Sequence, residues 1–173
     1  MEERKLIKGC KRGNRIAQKK LYDLYASKFL GICYRYFPHY DIANDILQES
    51  FLKIFKKIDT FKGEGSFEGW MKRICINTAL SELRKHKRTQ FTEDFDFEQS
   101  ASFIPGDEND IIDLITQLPD GYREIFNLHG IEGYSFKEIA EAMVLAEGNV
   151  RVKYHRARKK MQAILEKCFM EVS

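Results

Sequence analysis

Apolar residues recur at three- and four-residue steps through most of this chain. Leu21, Leu24, Tyr25, Phe29, Ile32, Cys33 and Tyr36 form one such run, and Pro38 ends it. Ile42, Ile46, Phe51, Leu52 and Phe55 form a second, with Asp41 placed to cap it. A third runs from about Phe67 to Arg88 through Trp70, Ile74, and Ala79 to Leu83. An α-helix turns every 3.6 residues, so this period gathers apolar side chains into a stripe that must be buried. Residues 91–110 lose the period and contain Pro105-Gly106, a breaker pair. It returns in "IIDLITQL", before Pro119, which suits a first helical position. "DGYREIFNLHG" follows, with Gly130 as a C-cap, then "SFKEIAEAM", where Ser135 and Glu138 fit a capping box. After a turn at Val144-Leu145-Ala146, a basic helix is predicted from Glu147 to about Phe169. The pattern predicts an all-α protein with two small helical domains, residues 1–90 and 111–173, joined by a flexible linker at 91–110.

Charge separates along similar lines. Residues 1–88 carry 20 Lys/Arg against 10 Asp/Glu, residues 89–113 carry no base and 8 acids, and residues 114–173 carry 9 against 8. A basic block, an acidic linker and a mixed tail result. The basic block points to a polyanionic partner, although a solvated lysine-rich face leaves the same count. The linker interleaves its acids with Phe91, Phe95, Phe97 and Phe103, and an extended acidic segment fits it better than a strand without a partner. No apolar run reaches the roughly 18 residues of a membrane span, and the charged N-terminus has no signal-peptide core. A cytoplasmic protein without membrane insertion is expected. Cys10, Cys33, Cys75 and Cys168 make no C-x-x-C and have no histidine at ligand spacing, so reduced thiols are expected, with no metal and no cofactor.

Residues 61–77, "FKGEGSFEGWMKRICIN", raise a separate question. Gly63, Gly65 and Gly69 precede a helix, as in a phosphate cradle. A dinucleotide fingerprint puts its third glycine where Glu68 stands, and a P-loop puts Lys and Ser or Thr after its last glycine, where Trp70-Met71 follow. The upstream segment is helical rather than a strand. The loop therefore fits a nucleotide cradle poorly, and the aromatics Phe67 and Trp70 have two open readings, as core or as base platforms.

The last two helices have the helix-turn-helix layout. On the second, Val150, Tyr154, Ala157, Met161 and Ile164 share one stripe, which should pack inward. The opposite side carries Gly148, Val152, His155 and Lys159, flanked by Arg151, Arg156 and Arg158. Such a face, without acids from Gly148 to Lys160, suits a major groove, with later basic residues on phosphates.

At this point the chain resembles the extracytoplasmic-function sigma factors, the smallest class of bacterial transcription initiation factor, over almost its whole length. "ANDILQESFLKIFKKI" resembles the family's core-polymerase-binding helix, through Asp45, Gln48, Glu49 and Phe51. "FKGEGSFEGWMKRICINTALSELRK" resembles its promoter-melting segment. "LPDGYREIFNLHGIEGYSFKEIAEAM" and "EGNVRVKYHRARKKM" resemble its −35-reading domain, through Leu118, Pro119, Arg123, Glu138, Ile139, Ala140, Val150, Arg156, Ala157 and Arg158. The resemblance implies a non-enzymatic specificity subunit with core RNA polymerase and promoter DNA as partners, and it allows an anti-sigma factor as a further one. It implies core binding by Asp45, Gln48 and Glu49. It places Lys62, Gly63, Phe67, Arg73, Asn77 and Arg84 on the −10 element, where the glycine loop captures a flipped base. It places Arg151, Val152, His155, Arg156 and Lys159 on the −35 duplex. It also implies that the linker threads the polymerase channel later filled by RNA.

The sequence departs from that pattern in the turn. Val144 stands where the family has Gly, so the backbone there must avoid a left-handed conformation or accept strain. Ala146 stands where Ser is common, Asn149 replaces Thr, and Val152 replaces a frequent Ser. The rival readings are a two-domain duplex-DNA regulator that does not use polymerase, and a nucleotidyl transferase using the glycine loop.

Overall fold

A computed structural model describes residues 2–90 and 109–171. Most of the expected linker, 91–108, lies outside the described residues. The chain divides into two compact units, Met1–Phe95 and Asp96–Ser173. The described residues are helical, with no strand among them: α1 (Glu2–Lys11), α2 (Arg15–Tyr36), α3 (Tyr40–Lys57), α4 (Phe67–Gln90), α5 (Asn109–Thr116), α6 (Tyr122–Ile125), α7 (Phe136–Met143) and α8 (Glu147–Glu171).

In the first unit α2, α3 and α4 pack against one another. Phe29, Ile32 and Cys33 of α2 meet Ala43, Ile46, Leu47 and Ile54 of α3 and Met71, Cys75, Ile76 and Ala79 of α4 in a core where every side chain is buried. Burying each large apolar side chain stabilises the unit by about 1.5–3 kcal/mol. Cys33 and Cys75 approach to 3.4 Å between Sγ atoms as thiols. Their mutual hydrogen bond and burial push the Cys33 thiol far above its ordinary value, which keeps it protonated. The start of α2 is fixed by Asn14, whose side chain accepts from the backbone of Ile16 and Ala17 at 2.9 and 3.0 Å. Helix α3 begins one residue before the predicted cap. His39 precedes it without a side-chain capping bond, and Asp41 lies in the first turn, where it still favours the positive end of the helix. Helix α1, which the periodicity did not single out, packs on α2, and a Cβ at Gly9 would come within 2.8 Å of Ala17 Cβ.

In the second unit Ile115, Leu118, Ile125, Leu128, Ile139, Val150, Ala157 and Met161 form the buried interior. Arg123 is only 5% exposed. Its Nη1 donates to the carbonyls of Thr116 and Leu118, at 3.3 and 3.2 Å, and Nη2 pairs with Asp120. It thereby satisfies carbonyls that the end of α5 would otherwise leave unmatched. Pro119 is not the first residue of a helix; it stands ahead of α6, and its carbonyl accepts from Tyr122 and Arg123. Nor does Gly130 terminate one. Helix α6 runs on into a π turn over Phe126–Ile131, and the chain reverses at Gly133, with φ +75°. Gly130 instead lies beside Tyr154, whose hydroxyl is 3.6 Å from where a Cβ would stand, an ordinary contact distance. The capping box at Ser135 and Glu138 forms in full.

Candidate nucleic-acid and polymerase interfaces

Along α3 the spacing 45, 48, 52 and 56 puts Asp45, Gln48, Leu52 and Lys56 on one exposed side, with Glu49 beside them half-buried. Glu49 accepts an ion pair from Lys53 at 2.7 Å. That hydrogen bond holds the Glu49 carboxyl below the usual carboxylate range. Leu52 is 70% exposed. Periodicity read it as core, because apolar spacing cannot say which of two adjacent stripes has a neighbour.

The glycine loop spans residues 62–66, all exposed. Gly63 and Gly65 have φ of +81° and +75°, a conformation that L side chains rarely adopt. Nothing lies within 4 Å of a Cβ built on either. The loop closes onto α4 through Ser66, whose Oγ accepts from the Gly69 backbone at 3.1 Å. Beneath it, Phe67 stacks on Trp70 with centroids 5.6 Å apart, and Phe61 lies 5.0 Å from Phe67. Phe67 is 2% exposed and Trp70 half-buried. Phe67 was expected at the −10 strand; its burial makes it the floor of the loop, because its faces are taken by other rings. Arg73, Asn77 and Arg84 are exposed, and their four- and seven-residue spacing puts them on one side of α4. Lys62 is exposed at the start of the loop.

On α8 the inward stripe forms with Val150, Ala157 and Met161 buried, and Val152, His155, Arg156 and Lys159 are exposed on the other side. Arg151 is also exposed but engaged. It donates to Glu147 at 2.7 Å, and its guanidinium lies 4.8 Å from the centre of the Phe136 ring. The other contacts of Phe136 are with His129, stacked at 4.0 Å, and with Tyr154. The Nδ1–H of His129 donates to the Tyr134 carbonyl at 2.7 Å. An exposed ion pair is worth at most about 1 kcal/mol and an exposed cation–π contact about 0.5–1.

Val144 resolves the alternative posed by the turn. Its φ and ψ are 56° and 50°, left-handed, and it is the one described non-glycine residue with positive φ. The turn adopts the left-handed conformation and accepts the strain. Ala146 occupies the cap position of α8, its carbonyl accepting from Val150 at 3.2 Å.

A helical unit with an exposed glycine loop, followed by a unit in which α7, a tight turn and the long α8 with its exposed basic face succeed one another, has the layout of a DNA-binding protein of two units. Residues 21–89 match sigma-70 region 2 and residues 108–161 match sigma-70 region 4. The chain is 30% identical to the ECF RNA polymerase sigma-E factor of Haemophilus influenzae, covering 94% of each chain. It is also 30% identical to the ECF RNA polymerase sigma factor SigW of Bacillus subtilis, over 92% of this chain and 94% of that one. Among solved structures, the sigma factor RpoE of Bartonella quintana, in complex with the anti-sigma factor NepR, superposes with a TM-score of 0.59 at 25% identity, covering 86% of this chain and 96% of that one. The chain belongs to the extracytoplasmic-function group of sigma-70 RNA polymerase sigma factors. It acts in promoter-specific transcription initiation with RNA polymerase. No described helix is long and apolar enough to cross a membrane.

Proposed function

We propose that the two units divide promoter recognition between them, in the cytoplasm and without a catalytic step of their own. The first holds core RNA polymerase through Asp45, Gln48 and Glu49 of α3, with Leu52 as an apolar contact among them. Its glycine loop, with Lys62 and Gly63, takes up an extruded base of the −10 element. Asn77 offers an amide to a base edge, and Arg73 and Arg84 follow the phosphates. The second unit lays α8 in the major groove of the −35 duplex, where Val152 meets a thymine methyl and Arg151, His155, Arg156 and Lys159 meet bases and phosphates. The sigma factor RpoE of Bartonella quintana is found in complex with the anti-sigma factor NepR, which supports an anti-sigma factor as a partner of this chain too.

The observation that carries the reading is the open arc of residues 62–66, shaped by two left-handed glycines over an aromatic floor. A duplex-only regulator has no use for it. Transcription from a promoter by purified core polymerase plus this protein tests the whole. Asn77→Ala tests the division of labour: permanganate reactivity of −10 thymines should fall while −35 duplex binding persists. Normal reactivity removes Asn77 from strand capture.

A further inference from the structure

We propose that Lys11, on a helix outside the matched region 2 residues, is the positioning residue that holds the glycine loop in the shape needed to receive a base. The inference rests on the reading of that loop as the base-capturing element.

Lys11 Nζ donates to the backbone carbonyl of Phe61 at 2.9 Å, joining groups 50 residues apart in sequence. Phe61 is the last residue before the exposed arc. Its N–H is bound to the Ile58 carbonyl at 3.2 Å, and its ring is buried against Phe67 and Trp70. The Lys11 bond occupies the remaining backbone group of this residue. At the far end, Ser66 is fixed by Gly69 N–H on its Oγ and Trp70 N–H on its carbonyl. The arc is therefore pinned at both feet and free between them, where Gly63 and Gly65 have open space around them.

Helix α1 makes a firm base for the pin. Gly9 lets it approach α2 so closely that a methyl would collide with Ala17, and Asn14 locks the turn between the two helices. A loop that must close around an extruded base binds more tightly if it is ordered beforehand, because ordering is then not charged to binding. The ammonium also adds positive potential at the foot of the arc, where the phosphate flanking a captured base must pass.

The test uses the full chain with core polymerase. Lys11→Met keeps the stem and removes the donor, and Lys11→Arg keeps donor and charge. Lys11→Met should lower open-complex formation, and affinity of the holoenzyme for single-stranded −10 oligonucleotide, by roughly tenfold, the scale of losing one hydrogen bond from a charged donor. Core affinity, −35 duplex affinity and thermal midpoint should hold, and Lys11→Arg should restore most of the loss. If Lys11→Met opens promoters normally while Asn77→Ala does not, the inference fails and the loop reading stands. If neither variant affects opening or oligonucleotide binding, both fail together. A Lys11→Met defect matched by a fall in thermal midpoint, or one that Lys11→Arg shares in full, would also overturn it, because the loss would then not be that of a positioning donor.

Discussion

Val144 carries the sharpest single-residue tension in the described chain. A β-branched side chain in the left-handed region costs about 1–2 kcal/mol, and here the side chain recovers little by contact, being 80% exposed. Val144→Gly should therefore raise the stability of the second unit by about 1 kcal/mol, visible as a higher thermal midpoint. A lower midpoint would mean that the valine contributes packing not apparent from its exposure. Glu124 is a second such residue. It is fully buried, and among the described residues neither carboxyl oxygen has a hydrogen-bond partner. A buried polar group without a hydrogen-bond partner costs about 1–3 kcal/mol, so an apolar side chain of similar volume should be the more stable occupant. Glu124→Met should therefore stabilise the second unit by about this much, measured by urea unfolding at neutral pH. Destabilisation would reveal a partner for the carboxyl in solution. The two residues differ in legibility. The missing glycine at 144 was readable from the resemblance to the sigma-factor turn, as a choice between avoidance and strain. Nothing local marks Glu124 as buried, since an acid between Arg123 and Ile125 reads equally well as a solvated helix position.

At the scale of elements, α8 and α3 present faces whose roles can be separated by substitution. Glu147→Ala removes the acceptor that holds Arg151, so α8 should bind −35 duplex somewhat more tightly, by up to about 1 kcal/mol. Arg151→Ala should cost about 1–3 kcal/mol with relaxed preference at one base pair if the arginine reads a base, and a uniform loss across sequences if it meets only phosphate. Selection of bound duplexes by each variant distinguishes these outcomes. On α3, charge reversal at Asp45 and Glu49 should weaken core polymerase binding in a pull-down while the circular dichroism spectrum stays helical. Unchanged affinity would remove the acidic side of α3 from the interface. The inward stripe of α8 was legible because its apolar residues repeat on one side and its basic residues on the other. The outer face of α3 was not, since Leu52 continues an apolar period that the core needs only as far as Phe51 and Ile54.

At the scale of the whole molecule, the acidic linker joins two units that each possess an interior. Replacing residues 92–104 by a Gly/Ser segment of equal length should leave both units folded. It should weaken core binding and alter the yield of abortive RNA if the acids occupy a basic channel in polymerase. Identical abortive profiles and core affinity would reduce the segment to a tether.

The sequence by itself determined the helical class, the division of charge, the helix-turn-helix and the family, because these depend on periodicity and on residues close together in the chain. The tertiary structure alone decided which apolar positions are covered, leaving Leu24 and Leu52 in solvent and Phe67 beneath the loop. It also decided that Arg123 closes the end of α5 and that Lys11 reaches the carbonyl of Phe61. Burial and long-range hydrogen bonds depend on which helix lies alongside. A period of 3.6 residues reports that a stripe must be covered, but not what covers it.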